Sequence, residues 1–153
     1  MYFLTLFLLG MTALLIIALN KNKGSHIIPD FQLRYGREDL ESFRAVPKKV
    51  IRIHYVLDSW YILSYSLTCI AISSISPRSG IPFWWAPAVL GILTAILDMI
   101  ENRLLKGYYY RKHEMPRPIA GSRLTLIKGI FAWGWFATAL PCFFWLSWQK
   151  WIS

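Results

Sequence analysis

From Tyr2 to Leu19 the chain reads YFLTLFLLGMTALLIIAL, without one charged residue. A stretch this long and uniformly apolar has no polar face to turn to water. It matches the roughly 20 residues that a helix needs to cross a bilayer core. In hydrocarbon the backbone must satisfy its own hydrogen bonds, so the segment has to be helical. Three further stretches are long and mostly apolar but carry a few charges: His54–Ser76, ended by Pro77, then Phe83–Leu105, then Leu124–Gln149. Ser122 after Gly121 predicts the N-cap of the last one. The first stretch lacks the positive N-terminal region and the small-residue cleavage site of a signal peptide, so it is read as a retained helix. The expected fold is all-α: one integral membrane domain over residues 1–153, an antiparallel bundle of four transmembrane helices with spans at about 2–19, 54–76, 83–105 and 124–149. Composition agrees. Only 16% of the 153 residues are charged, against about a quarter in a soluble domain.

Four spans place the loops 20–53 and 106–123 on one side. Of the 17 lysines and arginines, all but Arg78 and Lys150 fall on that side or just inside span four. The bias predicts that both long loops are cytoplasmic and both termini outside. Trp84, Trp85, Trp145, Trp148 and Trp151 gather at the opposite ends of spans three and four, as an interfacial belt does. The net charge of +9 therefore points to anionic lipid on the cytoplasmic side, not to nucleic acid. Within the first loop, REDLESFRAV (Arg37–Val46) fits either a short amphipathic helix on the inner membrane surface, with Leu40 and Phe43 on one face, or an irregular connector. GYYYRKHEMPRP (Gly107–Pro118) reads as an interfacial anchor in a short loop.

The third span ends in LTAILDMIENRLLKG (Leu93–Gly107), with Asp98, Glu101 and Asn102 within two turns. Charges at that depth are expensive and turn inward toward partners. Span two carries His54, Asp58, Tyr61, Tyr65 and Thr68 at helical spacing. Spans two and three are joined by a tight loop, so the start of one meets the end of the other. Lys128, one to two turns into span four, comes within reach of Asp98 or Asp58. The candidate cluster is thus His54, Asp58, Asp98, Glu101, Asn102 and Lys128, with Arg103 and Arg123 at the rim as possible phosphate or lipid contacts. Three acids so close together lead us to expect one to be protonated.

Three uses of this cluster compete. It can be a polar clamp between helices, with Asp58 on Lys128 or Arg103, Asn102 bridging backbones and Glu101 snorkelling outward. It can bind a proton, a small polar ligand or a divalent ion, since His54–Asp58 and Asp98–Glu101 offer nitrogen and oxygen donors. The Glu-x-x-His motif of bundle di-metal sites is absent, and no metal is assigned. It can belong to a small membrane enzyme acting on phosphate-bearing lipids, although Ser59 points about 100° away from Asp58 on the helix. No cofactor is named by these residues, and they do not decide whether the chain is an enzyme.

The preferred reading is a non-catalytic accessory or assembly subunit of a larger membrane complex. The alternative is a small membrane enzyme or a proton-, ion- or headgroup-binding protein using Asp58, Asp98 and Glu101. The aromatic density of span four, from Phe131 to Trp148, is more than one helix can bury in a four-span bundle. That points to other membrane subunits as partners. Gly91 and Ala95 form a small-xxx-small pair suited to close helix packing. Pro87 and Pro141 are expected to kink or loosen spans three and four. Cys69 and Cys142 read as small buried apolar residues.

Overall fold

The computed structural model describes residues 2–26, 28, 37–75, 84–111 and 118–152. Among them are five helices: α1 Tyr2–Lys23, α2 Arg37–Arg44, α3 Lys48–Ile75, α4 Ala86–Arg111 and α5 Pro118–Ile152. The protein is all-α. Three helices are long and apolar enough to cross a membrane, at Phe3–Lys23, Lys48–Ile75 and Leu126–Trp145. That composition marks an integral membrane protein.

The pairs α1–α3, α3–α4 and α4–α5 run antiparallel, as the contacts between them establish. The Oγ atoms of Thr12 and Ser64 lie 2.8 Å apart, and Asn22 Nδ2 donates to Val50 O at 3.1 Å, so α1 and α3 run in opposite senses. Between α3 and α4, Tyr65 meets Asp98 while Ser73 Oγ accepts from the Ala88 amide at 3.0 Å. Between α4 and α5, Asp98 meets Lys128 while Leu90 packs on Gly134. One end of the molecule therefore collects Lys21, Lys23, Lys48, Lys49, Arg52, Arg103, Lys106 and Arg123. The other end carries Trp84, Trp85, Trp145 and Trp148.

The helices outrun the apolar stretches, mostly at the basic end. α3 begins at Lys48 instead of His54, α1 continues to Lys23, and α4 occupies Ala86–Arg111 instead of Phe83–Leu105. α1 closes on Gly24, whose φ of +55° suits the left-handed cap and whose amide reaches Asn20 O at 3.1 Å. α5 starts at Pro118, so Ser122 lies inside the helix and is not its N-cap. Proline is favoured in a first turn because its missing N–H has no helical acceptor there anyway. The same reason corrects the reading of Pro87: it sits in the first turn of α4 and starts the helix instead of kinking it. α5 continues through Pro141.

REDLESFR is a helix, with Glu38 and Asp39 in its first turn and Arg44 in its last, each matched to the helix dipole. Its apolar face does not lie on the membrane. Leu40 and Phe43, with Val46 just beyond, are buried against Ile51, Tyr55, Leu105 and Tyr108. The tyrosines of the GYYYR run are likewise on α4 and not in a loop. Tyr108 is buried beneath the Arg44 guanidinium, whose carbon lies 4.2 Å from the ring centre. Tyr109 donates to Val46 O at 2.6 Å. Burial, then the neighbouring Tyr110, holds the Tyr109 hydroxyl above its ordinary pKa, so it stays a neutral donor. The remainder of that predicted anchor, residues 112–117, lies outside the described residues.

Where α3 crosses α4, glycine is required. A Cβ on Gly91 would fall 2.7 Å from both the Cβ and the Sγ of Cys69, which is fully buried. With Ala95 also buried, the small-xxx-small pair sets how closely α4 approaches.

Candidate functional site

The polar cluster lies at the junction of α3, α4 and α5, toward the basic end. Its centre is Lys128, ten residues into α5 by its position after Pro118 and so about 15 Å along the axis. Counted from Leu124, where the apolar stretch begins, it is four residues in, within the one to two turns anticipated; the helix itself starts six residues earlier. Lys128 Nζ lies 2.9 Å from Asp98 Oδ1 and also binds Glu101 Oε2. Asp98 and Glu101 are three residues apart on α4, so both carboxylates project from one face and one ammonium can meet both. Glu101 is 1% exposed. The expectation that it snorkels outward is corrected: the ammonium on α5 gives it a partner in the interior, which a rim position would not.

Tyr65 closes the other side of Asp98, donating to Oδ2 at 2.7 Å. Asp98 thus takes the Lys128 ammonium on one oxygen and the phenol on the other, and it links three helices. Tyr61 stacks edge-on to Tyr65, with ring centres 5.2 Å apart. Asp58, two turns before Tyr65, is buried and accepts the side-chain amide of Asn102. Of the two carboxylates that the sequence put within reach of Lys128, the structure pairs it with Asp98, and the rest of the wiring differs from the clamp expected from the sequence. Lys128 goes to Asp98 and Glu101, and Asn102 reaches the Asp58 side chain, not a backbone. His54, one turn before Asp58, is fully buried with its ring edge-on to Tyr55 at 6.0 Å. Arg103 and Arg123 are exposed. Arg103 lines a groove between α3 and α4.

Tyr65 is the member that the candidate list omitted. It was already on the α3 stripe, seven residues after Asp58 and so on the same face. A phenol is an apt partner for a buried carboxylate because its body is apolar and only its tip is polar.

Among the described residues, no group of three or more His, Cys, Asp or Glu side chains is placed to hold a metal ion. Between Asp98 and Glu101 the Lys128 ammonium occupies the place that a cation would need. The arrangement is suited to holding helices in register. No known protein family, curated protein or solved structure matches this chain.

Proposed function

We propose that the protein is a four-span integral membrane protein acting as a non-catalytic accessory or assembly subunit of a larger membrane complex. In this reading α4 is the fourth span. Its charges do not forbid it, because Asp98, Glu101 and Asn102 are turned to partners on α5 and α3. Its outward positions are Val89, Ile92, Ile96, Met99 and Ile100. Lipid meets that apolar face, not the average composition of the helix.

The observation that carries the reading is the division of α5 into two faces. One face delivers Lys128 into the carboxylates. The opposite face presents Ile130, Trp133, Phe144 and Trp148 at helical spacing, with Trp133 72% and Phe144 67% exposed. Tryptophan facing lipid is favoured at the interface, not at mid-depth. Trp133 lies near the middle of the apolar part of α5, where a large flat ring suits a protein contact better. The described helices contribute apolar surface and a closed polar clamp, as a subunit does that is held by its neighbours.

Mild-detergent extraction of the native protein tests this. A stable assembly well above the mass of one chain is expected, and Trp133→Leu with Phe144→Leu should release the protein from it while leaving the amount of chain unchanged. A native monomer, or a co-purification pattern untouched by the double substitution, refutes the subunit reading. It would return the cluster to the alternative of a self-contained site.

A further inference from the structure

Two adjoining grooves lie between α3 and α4 on the lipid side of the clamp. The first has a volume of about 840 Å3 and is ringed by Lys48, Lys49, Arg52 and Lys106, with Tyr55 and Trp60 in its wall. The Lys106 ammonium stands 5.0 Å from the centre of the Tyr55 ring, which aims its charge into the groove. The second groove, of about 590 Å3, runs deeper along Ile62, Leu63, Ala95 and Met99. Ser59 and Lys106 belong to both, so basic cup and apolar lane form one continuous channel. Among the described residues, no acidic side chain lines either part.

From these grooves we infer that the α3–α4 face holds one anionic phospholipid, its phosphate among Lys48, Lys49, Arg52 and Lys106 and an acyl chain along Ile62, Leu63 and Met99. The inference rests on the four-span reading, which puts Met99 in hydrocarbon and the α3 N-terminus among headgroups. Length supports it. Arg52 and Ser66 are fourteen residues apart, about 21 Å along a helix, and one leaflet with its headgroup layer measures about 20–22 Å. Charge decides the class of lipid: these four cations, with Arg103 of the second groove and no carboxylate among the described lining residues, favour a net-negative headgroup over a zwitterion, whose own ammonium would be repelled. The Ser59 hydroxyl is committed to Tyr55 O at 2.7 Å and lies at the junction as a hydrogen-bond acceptor. The four cations are exposed, so they are open to a ligand.

The test is native mass spectrometry of the detergent-purified chain with dioleoyl-phosphatidylglycerol, dioleoyl-phosphatidylcholine or inorganic phosphate. One phosphatidylglycerol per chain is expected, at least about tenfold tighter than phosphatidylcholine, since each basic residue contributes enough to shift affinity several-fold. Lys49→Gln with Arg52→Gln should abolish that preference, and Met99→Trp should block the lane and weaken both lipids. All three positions are exposed, so these variants should elute as wild type does, and the readout is binding. Equal affinity for the two lipids, or displacement of the lipid by inorganic phosphate, overturns the inference. Failure of the four-span reading looks different: Met99→Cys would then react with a water-soluble maleimide in permeabilised cells.

Discussion

Lys128 Nζ sits 2.9 Å from Asp98 Oδ1, and the same ammonium holds Glu101, so a single cation on α5 serves two carboxylates on α4. The pairing is unequal, and that makes it testable. Losing Lys128 takes the ammonium from two acids at once, while losing Asp98 leaves the lysine with Glu101. Breaking a buried pair costs about 3–5 kcal/mol when the other charge has nowhere to go. Lys128→Met should therefore lower the yield of folded protein most, and Asp98→Asn distinctly less. Adding Asp98→Asn and Glu101→Gln to Lys128→Met should recover part of the loss. Thermal unfolding in detergent reads the order, and equal effects of the single substitutions would contradict the shared-cation geometry.

Tyr65 offers a narrower probe. Its side chain is 1% exposed and its hydroxyl meets the remaining oxygen of Asp98. Tyr65→Phe keeps the ring packing and removes only that donor. A hydrogen bond to a charged group contributes about 1.5–3 kcal/mol, so a drop in melting temperature of several degrees is expected. In an Asp98→Asn background the same substitution should matter much less, because the bond is then to a neutral amide. Additive losses in the double-mutant cycle would mean that the two groups do not communicate.

The long helices were legible because lipid imposes a length that hydropathy records. Their ends were not, because a helix continues past the bilayer wherever another surface pays for it. Lys48–Arg52 stays helical at the base of α3, and Tyr108–Arg111 stays helical over α2. Nothing in Leu40 and Phe43 distinguishes an apolar face meant for lipid from one meant for Tyr108 and Leu105. The site divides in the same way. Antiparallel order and residue spacing bring Asp58, Asp98, Glu101 and Lys128 to one level along the bundle. The wiring depends on how each helix is rotated about its axis. Lys128 faces Asp98 and Glu101 on the side of α5 where Leu90 also approaches Gly134, and no periodicity reports that rotation.

Gly91 gives a prediction about packing alone. A methyl group there would lie 2.7 Å from Cys69 Cβ as well as from its Sγ. Gly91→Ala should force α4 away from α3 and cost about 1–3 kcal/mol, the usual penalty of overpacking. Cys69→Ala should not rescue it, because alanine keeps the offending Cβ. Gly10→Ala is the control: nothing lies within 4 Å of a Cβ at that position, so it should be neutral or slightly stabilising. Full rescue by Cys69→Ala would show that only the sulfur was in the way.

Orientation in the membrane is the last prediction, and it follows from the separation of charge along the helices. Lys21, Lys23, Lys48, Lys49, Arg52, Lys106 and Arg123 lie at one end, and the exposed Trp84, Trp85, Trp145 and Trp148 at the other. Basic residues flanking spans are retained in the cytoplasm, so α1 and α4 should end there and α3 and α5 begin there. The native cysteines are both buried and give little background to a membrane-impermeant maleimide. In intact cells Ser25→Cys, at the exposed end of α1, should stay unlabelled until the membrane is opened. A cysteine appended after Ser153 should be labelled at once. Labelling of Ser25→Cys from outside would invert the protein, put the basic groove of α3 and α4 in the outer leaflet, and leave the lysine and arginine bias without a cause.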